Sequence, residues 1–117
     1  MTQTHVPASD AVASQEDQRI LQLAHDTLEI EADAVRHLRH GLSPSFVQAV
    51  RAILNVTGRV VVMGMGKSGH VGRKITATLA STGTPAMFVH PAEASHGDLG
   101  MVKDTDLVIA ISNSGES

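Results

Sequence analysis

Arg59-Val60-Val61-Val62-Met63, followed at once by Gly64-Met65-Gly66-Lys67-Ser68-Gly69, is the stretch on which the fold turns. A β-branched run without polar alternation suits a strand buried on both faces of a parallel sheet, where helices cover each side. The glycines after it match G-x-G-x-x-G, a spacing that lets the chain turn tightly out of a strand and presents the N–H groups of a helix start to an anion. A P-loop is excluded, because Gly66-Lys67-Ser68 would need a glycine five residues before Gly66, where Val61 stands. A dinucleotide site is disfavoured, because the second strand ends in His90-Pro91 with no carboxylate at its tip for a ribose hydroxyl. A tight strand-to-helix turn would by itself account for the glycines. It leaves unexplained why Lys67 places an ammonium group over the ligand-binding edge of the sheet.

Downstream, Val71, Ile75, Thr78 and Leu79 keep helical spacing from His70 to Ser81, and Thr82-Gly83-Thr84-Pro85 breaks it. Ala86–His90 reads as the second strand, and the stretch containing Pro91, Gly97 and Gly100 as irregular. Asp106–Ile111 reads as a third apolar strand running into Ser112-Asn113-Ser114-Gly115-Glu116-Ser117. This βαβ progression predicts an α/β, Rossmann-like fold with a right-handed parallel sheet. Upstream, Leu21, Ala24, Leu28, Ala32, Val35 and Leu38 recur at helical spacing, with Gly41 placed for a left-handed C-terminal cap. Ser43-Pro44 opens a second helix with Phe46, Val47, Val50, Ile53 and Leu54 on its apolar face, ended by Thr57-Gly58. The predicted organisation is a disordered leader over 1–14, an amphipathic helix within 15–43, and the α/β region over 44–117.

Composition narrows the function. The chain has 117 residues, 42% hydrophobic and 18% charged, as expected for one globular domain. A formal charge of -3 without a dense Lys/Arg cluster argues against nucleic acid as a partner. With no cysteine there is no disulfide, thiolate metal site or cysteine nucleophile. No stretch reads as a signal peptide or membrane span, so a cytoplasmic location is expected. Phe46 and Phe88 are the only Phe, Tyr or Trp residues, which leaves no stacking platform for bases.

Ligands of parallel sheets bind beyond the carboxyl ends of the strands. There, Ser112, Ser114 and Ser117 bring three hydroxyls within six residues, around a glycine that lets the backbone fold over a ligand. Together with Lys67 and Ser68 on the first loop, they read as a phosphate cradle; a serine-rich turn and N-cap is the plainer alternative. His96, with His90, Glu93 and Asp98 nearby in sequence, could bind a metal or serve local hydrogen bonding. His37 and His40, three apart on a helix, lack an evident third ligand, and Glu116 suits a first-turn carboxylate near a helix dipole.

The blocks Gly64–Gly69, His90-Pro91-Ala92-Glu93-Ala94-Ser95-His96-Gly97-Asp98-Leu99-Gly100 and Ser112–Ser117 resemble the sugar isomerase (SIS) domain family, most closely its arabinose 5-phosphate isomerase branch. The resemblance runs from about residue 44 to the end, and the middle block is its most discriminating part. It implies a parallel sheet of flavodoxin-like order 2-1-3-4-5, truncated here after the third strand and preceded by two helices. It also implies interconversion of ribulose 5-phosphate and arabinose 5-phosphate, feeding Kdo and lipopolysaccharide synthesis.

By similarity, Ser68, Ser112, Ser114 and Ser117 contact the substrate phosphate, Lys67 is an active-site lysine, and His96 matches a histidine associated with an inhibitory zinc ion. No organic cofactor is required, and a homotetramer is the usual assembly. The family's candidate base falls two residues beyond Ser117, its catalytic histidine further on, and the regulatory CBS pair beyond that. The expectation is an isomerase parent whose 117-residue portion is inactive alone. A non-catalytic sugar-phosphate-sensing SIS module, phosphoheptose isomerase and a nucleotide-dependent oxidoreductase are the competing classes.

Overall fold

The computed structural model describes residues 14–116. The predicted leader therefore lies outside the described residues, apart from Ser14. The chain divides after Leu42 into two compact units.

In the first unit, α1 spans Gln15–Leu38. Ser14 starts it with a reciprocal cap: its Oγ accepts the Asp17 N–H at 3.1 Å, while the Asp17 carboxylate accepts the Ser14 N–H at 3.2 Å. The expected left-handed cap at Gly41 does not form, since its φ is not positive. The helix instead tightens into a 3-10 turn, Arg39–Gly41, with the Arg39 N–H donating to the carbonyls of Arg36 and His37. That turn satisfies the last carbonyls without left-handed backbone. The rings of His37 and His40 meet edge to face, 5.6 Å between centroids, and no third ligand joins them among the described residues.

The second unit begins with α2, Pro44–Asn55, behind an extended Ser43 and with proline in its first turn, as predicted. It continues with β1 (Val60–Gly64), α3 (Gly66–Ser81), β2 (Ala86–Val89), α4 (Pro91–Ala94), a 3-10 turn over Asp98–Met101, and β3 (Leu107–Ile111). The three strands are parallel in the order β2-β1-β3. Val62 lies opposite Phe88 on one side and Ile109 on the other. Val60, Val61 and Val62 are 0% exposed, so the central strand is covered on both faces, as its unalternating sequence requires. Gly72 lets α3 close on this core: a Cβ there would stand 3.1 Å from the Phe88 ring and 3.2 Å from Val62. Along β3 exposure alternates, with Val108 and Ala110 open to solvent at the edge of the sheet.

Asp106, at the foot of β3, ties the second crossover to the central strand. Its Oδ1 accepts the Arg59 N–H at 2.7 Å and its Oδ2 the Lys103 N–H at 2.8 Å. The Arg59 guanidinium stands 3.8 Å from the same carboxylate and donates to the Met101 carbonyl at 2.8 Å. Gly58 makes room, because a Cβ there would collide with Asp106 Oδ1 and the Thr105 backbone. The backbone N–H groups of Arg59 and Lys103 hold the Asp106 carboxyl below its ordinary value.

A depressed carboxyl pKa stabilises the fold fully above the unfolded-state value of about 3.9, and that contribution fades as pH falls through the lower folded-state value. Asp106→Asn sets an amide N–H against a backbone donor. It should lower the melting temperature by several degrees at pH 7 and flatten its dependence on pH below about 4, where the carboxylate titrates. Melting curves of both proteins from pH 3 to 7 check this.

Candidate functional site

With β1 central, the chain progresses toward β2 on one side and β3 on the other, so the point where the order reverses lies between β1 and β3. Parallel sheets hold ligands at that point, beyond the carboxyl ends of their strands. A crevice of about 160 Å³ opens there, lined by Met63 and Gly64 at the end of β1 with Met65 after it, Ala110 and Ile111 at the end of β3 with Ser112 after it, and Pro91 beyond β2.

The glycine pattern builds its first wall. A Cβ on Gly64 would lie 2.8 Å from the Ser68 carbonyl oxygen, and one on Gly69 would lie 2.8 Å from the Gly64 oxygen, so the strand end and the first helical turn touch backbone to backbone. Gly66, at φ +56°, makes the reversal in a single residue. The helix consequently begins at Gly66, earlier than the predicted His70, and Lys67 and Ser68 sit in its first turn. The Gly69 N–H already donates to the Met65 carbonyl at 3.2 Å. The N–H groups of Gly66, Lys67 and Ser68 precede this first intrahelical donor and lie at the positive end of the helix dipole.

The serine loop forms the second wall. Ser112 Oγ accepts the Gly115 N–H at 2.8 Å, and Ser114 Oγ accepts the Glu116 N–H at 3.1 Å. Gly115, at φ +77°, lets the loop curl. Both hydroxyl oxygens thus brace the loop's own backbone, which is the turn role foreseen as the plainer alternative. Bracing does not exhaust the group: a serine hydroxyl that accepts from an N–H keeps a hydrogen to donate, as at Ser114.

Of the predicted site residues, Ser112 lines the crevice directly. Half-buried Ser68 and exposed Lys67 follow Met65 on the helix start, and exposed Ser114 lies in the loop. Ser117 lies outside the described residues. His96 is exposed in the turn after α4, its N–H donating to the Glu93 carbonyl at 3.0 Å. Among the described residues no three of His, Asp and Glu gather to hold a metal ion.

His90, Glu93 and Asp98 instead line a separate pocket of about 390 Å³ together with Arg73 and Phe88. Sequence reading overlooked Arg73. The signal was its helical spacing from Gly66 and Gly69, which puts it on the same face of α3 as those glycines.

The SIS domain family model matches residues 53–117. Arabinose 5-phosphate isomerase KdsD of Pseudomonas aeruginosa is 60% identical over 94 residues, and KdsD of Salmonella typhi is 58% identical over 96 residues. These alignments cover 80% and 82% of the chain, which spans about 29% of the length of these curated relatives. Among solved structures, Escherichia coli CFT073 c3406, in complex with arabinose 5-phosphate, superposes with a TM-score of 0.81 at 44% identity, covering 86% of this chain and 53% of that one.

Proposed function

The chain belongs to the SIS domain family, and on that premise we propose that the β1/β3 crevice is the phosphate-holding half of an aldose–ketose isomerase site for ribulose 5-phosphate and arabinose 5-phosphate. The observation that carries this reading is the meeting of Gly64, Met65 and Ser112 in one crevice at the reversal of strand order. The strong likeness to arabinose 5-phosphate isomerases supports the choice of sugar phosphate.

In this reading the first N–H groups of α3 and the hydroxyls of Ser68, Ser112, Ser114 and Ser117 hold the phosphate. Holding it fixes the reacting carbons for both proton transfers of the enediol pathway. Lys67 supplies positive charge where oxyanion character develops on the sugar. Isomerisation also needs a base near neutral pKa, and among the described residues no carboxylate or imidazole lines the crevice. The phosphate crevice itself therefore holds substrate without supplying the base, and turnover by this chain alone is not expected.

Titration calorimetry with a coupled activity assay tests this. Ribulose 5-phosphate and arabinose 5-phosphate should compete for one site, inorganic phosphate should bind it more weakly, NAD should not bind, and no turnover should be seen. Preferential NAD binding would refute the sugar-phosphate assignment. Turnover by the chain would refute the absence of a base.

A further inference from the structure

The pocket walled by Arg73, His90, Glu93 and Asp98 has no part in the phosphate site described above. We propose that it is a polyol subsite, taking the hydroxyl-bearing carbons of the sugar phosphate; the inference rests on the sugar-phosphate reading and deepens it.

Its side chains are unlike those of an anion or cation site. The Arg73 guanidinium stacks 4.2 Å above the centroid of the Phe88 ring, which fixes its plane at the pocket wall. Glu93 and Asp98 line the same space, yet among the described residues no ion pair within 4.0 Å joins either of them to Arg73. Opposite charges are thus held around about 390 Å³ without closing on each other. An anion would meet the two carboxylates, and a cation would meet the guanidinium. A row of hydroxyls satisfies both, because each hydroxyl donates to a carboxylate and accepts from a guanidinium.

His90 adds a directed donor. Its Nδ1 accepts the Ala92 N–H at 3.1 Å, capping α4, so the neutral ring carries its proton on Nε2. The same residue places the pocket beside the phosphate site. Pro91 faces the β1/β3 crevice, while His90 and Ala92 on either side of it face the polyol pocket. A smaller pocket, sharing Arg73, Phe88 and His90, runs to Gly66 and Gly69 at the start of α3. A phosphate at the helix start would therefore leave its carbon chain an open path past His70 toward Arg73 and His90.

Amide NMR spectra of the full 117-residue chain and of its Arg73→Gln variant test the inference. Arabinose 5-phosphate should shift amides of 66–69, 112–116 and 88–98, whereas inorganic phosphate should shift only the first two groups. Arg73→Gln, at an exposed position, should weaken arabinose 5-phosphate about tenfold, roughly what one charge-assisted hydrogen bond contributes, and leave inorganic phosphate within about twofold. The inference is overturned if arabinose 5-phosphate leaves 88–98 unmoved, if glycine as a simple zwitterion moves them equally, or if the variant weakens both ligands alike. Absence of shifts at 66–69 and 112–116 with every ligand would instead overturn the phosphate site, and the polyol subsite with it. The ligand comparison on the unsubstituted chain decides the matter even if the variant fails to fold.

Discussion

Gly69→Ala is expected to reduce sugar-phosphate binding at least tenfold and to destabilise the second unit by about 1–3 kcal/mol, the usual range for overpacking. The added Cβ would lie 2.8 Å from the Gly64 carbonyl oxygen and 3.3 Å from its carbon, both backbone atoms that cannot swing aside. Relief requires the first turn of α3 to lift off the end of β1, carrying Lys67, Ser68 and the leading N–H groups of the helix away from the serine loop. Gly64→Ala should behave alike, since its Cβ would meet the Ser68 and Gly69 backbone at 2.8–3.0 Å. Gly41→Ala is the matched control: its Cβ meets nothing within 4 Å and its φ is not positive, so neither stability nor binding should fall. Thermal melts and phosphate titrations of the three variants separate these cases.

Val62→Asp should abolish cooperative folding of the second unit. Val62 is 0% exposed in the middle of the sheet, with the α3 backbone at Gly72 packed against it. Its neighbours across the sheet, Phe88 and Ile109, offer no cation to pair with a carboxylate, and an unpaired buried charge costs more than a small domain's reserve of stability. Val62→Ala removes only two methyl-sized groups, at about 0.8 kcal/mol each plus a cavity cost, or about 2–3 kcal/mol together. Near-complete loss of amide dispersion in the aspartate variant, against a retained but less stable spectrum in the alanine variant, is the expected pair of results.

How much of this was legible beforehand depended on which physical signal each element carried. Val60–Val62 announced a doubly covered strand because burial on both faces removes polar alternation, and the parallel sheet followed from the crossover rule. The start of α3 was misplaced because Gly66-Lys67-Ser68-Gly69 has no apolar period; its helical state comes from the backbone approach of Gly64 and Gly69. Four residues are too few for a periodic signal, so α4 was read as irregular, and its cap is a histidine rather than a typical capping residue. The Gly41 cap failed because a 3-10 turn served the same carbonyls.

At the site, Ser112 was readable from the strand-end rule. The bracing role of the Ser112 and Ser114 oxygens was not, since it depends on where the loop's own N–H groups point. The stacking of Arg73 on Phe88 escaped notice because it joins a helix to a neighbouring strand, a contact no local pattern encodes. Asp106 read as the first residue of a strand, whereas its carboxylate gathers two backbone donors from separate segments.

The most direct measurement is a crystal structure of this chain with arabinose 5-phosphate. The phosphate is expected between the first turn of α3 and the Ser112–Ser114 loop, within hydrogen-bond reach of the helix N–H groups and at least one of those hydroxyls. A phosphate bound away from both walls, with the β1/β3 crevice left to solvent, would contradict the assignment of this crevice as a sugar-phosphate site.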